Sequence, residues 1–174
     1  MQLNLEFPHS YEIEVAAELP WNGANVHYVS GAREDGLVAK VRPESGDSWF
    51  CVIPGDKIYS SPNERFFCVM GDYDVYIVDS IDPKNIMTVP VNFVQQVQVV
   101  LEKDLMVFAD FMSIFAVGRD GILWRTDYSQ DGVEFSSVNG DSLHGRVECY
   151  CDARYHDFAI DLNCGKLIGG LPHQ

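Results

Sequence analysis

Asp-Gly and Asn-Gly pairs recur between short apolar runs in the second half of the chain, and they constrain its fold more than any other feature. Asp120-Gly121, Asp131-Gly132 and Asn139-Gly140 each separate runs in which apolar and polar residues alternate. These pairs tolerate the positive φ angles of tight hairpin turns. Turn signals that recur every 8 to 11 residues predict an antiparallel meander of short strands.

A period of two also runs through the rest of the chain. Tyr11 to Val15 alternates apolar with acidic residues and predicts a strand with one solvent-facing side. Residues 55–64 are predicted to form a loop because they are polar and contain Pro62, and the two prolines of 81–90 predict a connection. The other predicted strands cover 24–30, 37–42, 48–54, 65–70, 73–80, 105–109, 112–117, 122–126, 133–137, 143–149 and 158–162. Residues 93–101 fit a strand or a short helix, and their β-branched content favours a strand.

We therefore predict an all-β fold, with antiparallel meanders packed as a sandwich or as two stacked blade-like sheets. Hydrophobic residues make up 47% of the 174 residues, which is enough for a core. That length fits one domain over 1–174. The alternative is a subdivision into N-terminal strands over 1–90 and a C-terminal meander over 91–174.

Trp124 follows the Asp120-Gly121 turn and lies between two basic residues, Arg119 and Arg125. A strand that begins at Ile122 places Ile122 and Trp124 on one face, where Phe115 and Val117 of the preceding strand would pair with them. This pattern favours Trp124 as a core residue between sheets over Trp124 as a binding platform. Arg125 is then expected at the surface, and both residues are retained as candidate binding residues.

Two segments of the chain share a degenerate pattern. Residues 67–79 and 115–127 both read as an aromatic residue, a Val, a turn with Gly and Asp, an apolar-aromatic strand and a final Asp. The first resembles the inner strands of a β-propeller blade, and residues 120–126 are similar to small uncharacterised bacterial all-β proteins. The resemblance implies blade-like repeats and no activity. A closed propeller is not predicted, because it usually needs at least four blades of about 40 residues each.

The charge balance limits the classes of partner. The chain has 12 Lys and Arg against 26 Asp and Glu, a formal net charge of -14. This charge argues against binding to nucleic acid or to an anionic membrane, and it favours a basic protein partner. The first residues show no signal-peptide pattern, and the five cysteines are odd in number. Both observations favour a cytoplasmic protein with reduced thiols.

An acidic cluster at residues 72–82 is the candidate binding region. Asp72, Asp74 and Asp79, with Asp82, bring several hard oxygen ligands into one short segment. The EF-hand spacing for Ca²⁺ is absent, and aspartates are common in turns. The cluster is therefore interpreted as a solvated acidic surface, and no cofactor is predicted.

A second constellation, near the C-terminus, raises the possibility of chemistry. Cys149 and Cys151 with His144 and His156 have the ligand types of a zinc site, but their spacing matches no known zinc pattern. Cys164 near His156 and Asp157 is the corresponding candidate for a Cys-His hydrolase. Buried strand thiols are the simpler interpretation of Cys149 and Cys151, so these four residues stay weak metal candidates.

The leading functional hypothesis is a non-catalytic cytoplasmic module that binds another protein. Its most specific form resembles an immunity or antitoxin protein, whose acidic face covers a basic site on a toxin. One alternative is a small hydrolase or metal-dependent enzyme that uses His144 and His156 with nearby Cys or Asp residues. Another is a structural subunit that forms a homo-oligomer through an edge strand.

Overall fold

The protein is built almost entirely of β-strands. The computed structural model describes residues 2–16, 18–20, 25–29, 32, 36–71, 73–111, 113–126, 132–149 (Cys149 by its backbone only) and 152–168. These residues contain seventeen strands and one 3₁₀ turn at Leu101–Lys103, and no α-helix. The predicted all-β fold of blade-like sheets is confirmed. Within these ranges, no helix has the length and apolar character needed to span a membrane.

The chain divides into two compact units, unit 1 (Met1–Pro90) and unit 2 (Val91–Gln174). Unit 1 contains two sheets, which we call sheet 1 (order β2-β4-β5-β3) and sheet 2 (order β1-β6-β7-β8-β9). The strands are β1 Gln2–Asn4, β2 Tyr11–Val15, β3 Val26–Tyr28, β4 Leu37–Pro43, β5 Trp49–Ile53, β6 Lys57–Ser60, β7 Phe66–Met70, β8 Asp74–Asp79 and β9 Ile86–Pro90. The pairs β1–β6 and β3–β5 are parallel and all others are antiparallel.

Unit 2 contains two four-stranded antiparallel sheets, in which the strands follow one another in chain order. Sheet 3 has the order β10-β11-β12-β13 and sheet 4 has the order β14-β15-β16-β17. The strands are β10 Gln96–Val100, β11 Leu105–Ala109, β12 Ile114–Gly118, β13 Gly121–Arg125, β14 Glu134–Asn139, β15 Ser142–Cys149, β16 Arg154–Asp161 and β17 Leu167–Ile168. This is the antiparallel meander that the turn spacing predicts, except that β13 and β14, on either side of the Asp131-Gly132 pair, belong to different sheets. Gly121 and Gly140 take positive φ angles in two of its hairpins, at 112° and 57°.

Each unit has its own hydrophobic core between its two sheets. In unit 1 the core joins Tyr11, Ile13, Val41 and Trp49 of sheet 1 to Phe67 of sheet 2, among others. In unit 2 the core joins residues of sheet 3, including Ile114 and Trp124, to residues of sheet 4, including Leu143, Phe158 and Ile160. Each unit, taken by itself, therefore consists of two stacked sheets. The prediction that the chain forms a single domain stays a prediction.

Two segments predicted as loop or connection are strands. Lys57–Ser60 forms β6, whose Ile58 is fully buried, because it pairs with β1 on one side and with β7 on the other. Ile86–Pro90 forms β9 at the edge of sheet 2. The prolines do not prevent this, because Pro83 precedes the strand and Pro90 ends an edge strand, where a missing N–H is tolerated.

The predicted pairing of Phe115 and Val117 with the face of Ile122 and Trp124 holds for Val117 and is wrong for Phe115. In the register of β12 and β13, Ala116 lies opposite Trp124, Phe115 opposite Arg125 and Val117 opposite Ile122, with an irregularity between Ala116 and Val117. A β-bulge shifts which side chains face the core. As a result Ile122, predicted on the same face as buried Trp124, is 45% exposed.

Candidate protein-binding surfaces

Asp79 is the centre of a hydrogen-bond network inside unit 1. The Arg65 guanidinium donates two hydrogen bonds to its carboxylate, Nε to Oδ1 at 2.7 Å and one terminal nitrogen to Oδ2 at 2.6 Å. The amides of Ile81 and Asp82 and the Asn85 side chain also donate to it. Burial opposes ionisation, but these donors outweigh it and hold the pKa of Asp79 below its usual value. Asp79 is fully buried. Its hydrogen bonds to Arg65 and to the amides that follow stabilise the end of β8.

The structure does not gather the predicted acidic cluster into one exposed group. Asp74 is half-buried at the start of β8 and accepts a hydrogen bond from the Tyr76 hydroxyl at 3.1 Å. Asp79 lies at the other end of the same strand, and Asp72 lies outside the described residues. A direct contact between Asp79 and a partner would require its bonds to Arg65 to break.

Trp124 lies in the core of unit 2, as its strand pattern predicts. It is 8% exposed, and its indole Nε1 donates a hydrogen bond to the Leu162 carbonyl at 2.8 Å, which links β13 to the end of β16. Arg125 is exposed, and its guanidinium lies 4.7 Å from the centre of the Phe115 ring. This cation–π contact accounts for the position of Arg125 beside an aromatic strand. That Trp124 or Arg125 takes part in binding stays a prediction.

The two histidines among the candidate metal ligands of sheet 4 do not converge. Val147 pairs with His156, so His144 lies three residues from that pairing, roughly 10 Å along the strand. Side chains alternate between the two faces of a strand, so His144 lies on the face opposite to buried Leu143 and Val147. His156 lies on the same face as buried Phe158. The two imidazoles therefore lie on opposite faces of sheet 4. Cys151 and the Cys149 side chain lie outside the described residues.

His156 and Cys164 are also separated by the length of β16. From His156 to Asp161 the strand covers five residues, about 17 Å, and Cys164 follows in the turn beyond. The His156 ring instead contacts the Asp152 carboxylate at 3.0 Å. A nucleophile and its base need hydrogen-bond reach, and this pair does not have it.

A group of carboxylates that the sequence analysis did not single out surrounds Ser10 in unit 1. The Ser10 amide donates to the Glu64 carbonyl at 2.8 Å, and the Ser10 carbonyl accepts from the Glu44 amide at 2.9 Å. Glu12 and Glu14 follow on β2, and all four glutamates are exposed. We call Glu12, Glu14, Glu44 and Glu64 the Ser10 patch. Three segments far apart in sequence form it, so no local motif reveals it.

The two cations of the neighbouring strand β4 are already engaged. Arg42, on the neighbouring β4, pairs with Glu14 at 2.6 Å and with Glu12 at 3.4 Å. The hydrogen bonds to Glu14 raise the pKa of Arg42 above its usual value. The ammonium of Lys40 lies 5.8 Å from the centre of the Phe50 ring. Arg65 directly follows Glu64 but is paired with Asp79. Four carboxylates against the two cations of β4 therefore leave the patch negative.

A groove lies in unit 2 between two edge strands, β10 of sheet 3 and β14 of sheet 4. Its volume is about 670 Å³, and its walls are Gln98–Val100 on β10 and Ser137 and Val138 on β14. Phe135 donates its amide to Gln96 Oε1 at 2.6 Å and joins the two strands at one end. Lys103 and Asp141 lie at the other end and form an ion pair. We call this cavity the β10–β14 groove.

The fold and these surfaces define an all-β chain of blade-like sheets, and comparisons with known proteins go no further than general similarity. No known family and no curated protein matches the sequence. A chain in the structure of S. cerevisiae Dbp5 bound to Nup159, Gle1, IP6 and ADP is similar at 14% identity and a TM-score of 0.49. The N-terminal domain of Nup159 is similar at 12% identity and a TM-score of 0.48.

These matches involve nearly all of this chain but only part of the solved structures. They cover 95% and 98% of this chain against 52% and 53% of the solved chains. The chain therefore spans about half the length of the structures it resembles. Identity and TM-score at these levels do not indicate what this protein does. Its own surfaces are the source of the functional conclusion.

Proposed function

We propose that this protein is a non-catalytic module that binds a basic protein partner through the acidic surface of unit 1. The observation that carries the proposal is the Ser10 patch, in which backbone hydrogen bonds join distant segments that each carry exposed carboxylates. The proposal needs no cofactor. It also gives a purpose to the formal net charge of -14, which is large for a chain of this length.

The distribution of exposed charge supports unit 1 as the binding unit. Among its described residues, nine carboxylate side chains are exposed against two cationic side chains, Arg65 and Lys84. Arg65 is already paired with buried Asp79. A surface with this imbalance attracts cationic partners over distances near the Debye length, about 8 Å at physiological salt. Such attraction raises the association rate and selects against acidic partners.

The finer form of the proposal is an immunity or antitoxin role in the cytoplasm. An inhibitor of this kind covers a basic site on its target, and complementary charge gives fast association. The Ser10 patch supplies carboxylates on an edge strand, β2, that is already fixed by β4 and by the backbone bonds of Ser10. A rigid surface loses little conformational freedom on binding, which favours affinity.

The two alternatives have less support. The enzyme hypothesis needs His144 and His156 in one site, and the register of sheet 4 separates them on opposite faces. A homo-oligomer would bring together copies that each carry a formal charge of -14, which opposes association at low salt. Light scattering that shows a stable dimer at low salt would favour the structural-subunit alternative over the proposal.

The test is affinity capture of partners on the tagged full chain from lysate of its native cells at low salt, with identification by mass spectrometry. We expect one stoichiometric basic protein whose recovery falls as salt rises. The double variant Glu44→Lys/Glu64→Lys should lose it, because it reverses two charges of the Ser10 patch and leaves the Arg42 pairs intact.

The matched control is Asp120→Lys/Asp157→Lys, which makes the same change in net charge at exposed positions of unit 2. This variant should retain the partner. Equal loss in both double variants would mean that net charge alone drives capture. That result, or capture that salt does not weaken, would contradict the proposed surface.

A further inference from the structure

We infer that the β10–β14 groove binds a short extended segment of a partner protein in which apolar and basic side chains alternate. The inference rests on the proposed function, that the protein binds a basic partner, and it adds a second contact site with its own sequence preference. Three properties of the groove carry it: its bounding strands, its length and floor, and the charge at its open end.

The strands that bound the groove are edge strands, and among the described residues no strand pairs with their outer edges. β10 is the first strand of sheet 3 and β14 is the first strand of sheet 4, so each pairs with only one neighbour in its sheet. Side chains of β10 already hold one backbone group of each strand, since Gln96 Oε1 accepts from the Phe135 amide and Gln98 Nε2 donates to the Val99 carbonyl at 2.8 Å. An extended segment would therefore pair with the other groups of these edges. Extended peptides bind to such edges through main-chain hydrogen bonds.

The dimensions of the groove fit a segment of about four residues. Its walls follow β10 from Gln98 to Val100, which is two residue steps or about 7 Å, and continue through Glu102 and Lys103 of the 3₁₀ turn for roughly 6 Å more. The volume of about 670 Å³ lies within the range of ligand-binding cavities, roughly 300 to 1,000 Å³. Val100 is buried, and Val138 packs against the core of unit 2. These valines form an apolar floor that suits alternate side chains of an extended segment.

The charge at the end of the groove near Lys103 and Asp141 favours cationic side chains at those positions of the bound segment that do not face the apolar floor. Glu102 and Asp141 are exposed there. The one cation of the lining, Lys103, pairs with Asp141, and its Nζ also lies 3.4 Å from Asn163 Oδ1. The hydrogen bond and charge of Lys103 lower the pKa of Asp141, so this carboxylate stays ionised. Two carboxylates against one cation leave a negative site for a Lys or Arg of the segment.

The probe is a capped hexapeptide of alternating Val and Lys, titrated into the ¹⁵N-labelled full chain and followed by NMR. We expect saturable shifts confined to the amides that line the groove, such as Gln98, Ser137 and Gly140. The matching Val-Glu hexapeptide should cause none. Asp141→Lys should weaken the binding of the Val-Lys peptide at least about tenfold, and Asp141→Asn by less.

Asp120→Lys is the control, because Asp120 is an exposed carboxylate in the turn between β12 and β13 and does not line the groove. The unperturbed spectrum of each variant verifies its folding. Shifts spread over the surface, equal shifts with the Val-Glu peptide, or equal weakening by Asp120→Lys would overturn the inference. If the groove fails while Glu44→Lys/Glu64→Lys still abolishes partner capture, the inference is wrong and the proposed function stands.

Discussion

Trp49 in unit 1 and Trp124 in unit 2 make the same type of bond from one sheet to the other. The Trp49 indole donates to the Ser80 carbonyl at 2.7 Å, and the Trp124 indole donates to the Leu162 carbonyl at 2.8 Å. Each carbonyl belongs to the residue that follows a strand-ending aspartate, Asp79 on β8 and Asp161 on β16.

The two aspartates also begin the same local turn. Asp79 Oδ1 accepts the amide of Ile81, and Asp161 Oδ1 accepts the amide of Asn163, in both cases two residues on. A carboxylate that bonds its own backbone in this way fixes the turn after a strand. In each unit, therefore, a turn ordered by an aspartate presents a carbonyl to a buried tryptophan.

What surrounds the link differs between the units. In unit 1 the carboxylate is buried and paired with Arg65, and Trp49 contacts the rings of Phe67 and His27. In unit 2 Asp161 is half-buried, and the Trp124 ring lies directly on Gly165, where a Cβ would come within 2.6 Å of it. The same link between sheets can therefore be held by a charge network or by close approach of the backbone.

Removing either indole should have the largest effect. We expect Trp49→Ala and Trp124→Ala each to lower the free energy of unfolding of its own unit by about 3–5 kcal/mol. Trp→Phe at the same positions keeps most of the ring and leaves one buried carbonyl unpaired, at a cost of about 1–3 kcal/mol. Urea unfolding followed by hydrogen exchange in each unit measures these losses. A loss below about 1 kcal/mol for either alanine variant would show that the links are not equivalent.

Substituting the two aspartates should destabilise the two units to different extents. Asp79→Asn removes a buried charge from Arg65, so we expect a loss of about 2 kcal/mol at neutral pH, reduced by the partial exposure of Arg65. Asp161→Asn can still accept the Asn163 amide, so its effect should stay within about 0.5 kcal/mol. The measurement is the urea midpoint of each variant.

Acid provides the internal check on the Asp79 prediction. Because the folded protein holds the pKa of Asp79 below its usual value, the stabilisation is present above its unfolded pKa of about 3.9 and is lost as pH falls through the folded value. The gap between wild type and Asp79→Asn should therefore close in acid. A gap of unchanged size at neutral pH and at pH 2, well below the unfolded pKa of about 3.9, would mean that packing, and not charge, causes the loss.

Much of this fold follows from local sequence patterns. Alternation predicts β2 and the hairpin of β7 and β8, and the Asp120-Gly121 and Asn139-Gly140 turns predict hairpins of unit 2. The burial of Trp124 follows from the same pattern. By contrast, β6 and β9 are short and polar or proline-bounded, and they are strands because neighbouring strands pair with them. The bulge at Ala116 and Val117 has no signal in the local pattern.

The candidate surfaces were less predictable, because they depend on contacts between distant segments. The Ser10 patch combines residues near positions 12, 44 and 64, and the β10–β14 groove combines positions near 98, 103 and 138. The partner of Asp79 is an exception. The predicted strands over 65–70 and 73–80 form a hairpin, and its register places Phe66 opposite Asp79, next to Arg65. That register was the available signal that Asp79 is an internal ion-pair partner.

Substituting Gly165 should test the close approach in unit 2. Gly165 has a φ of +70°, and an added Cβ would come within 2.6 Å of the Trp124 ring. The control is Gly140→Ala, since Gly140 has a φ of +57° and open space around it. The backbone strain alone is about 1 kcal/mol in each. We expect Gly165→Ala to cost about 1 kcal/mol more than Gly140→Ala, with reduced burial of the indole seen by tryptophan fluorescence. Equal costs would show that the ring shifts freely.

The smallest effect should come from His27, which lies edge-on to the Trp49 ring at 5.7 Å in unit 1. Burial and nearby Lys84 lower its pKa, and Asp82 opposes them. The unfolded chain therefore takes up the proton first, so unit 1 should lose stability as pH falls below about 6.5, the unfolded value. His27→Gln should remove this dependence between pH 7.5 and 5.5, measured as the urea midpoint of unit 1. The same slope in the variant would assign it to another group and leave the Trp49 link insensitive to pH in this range.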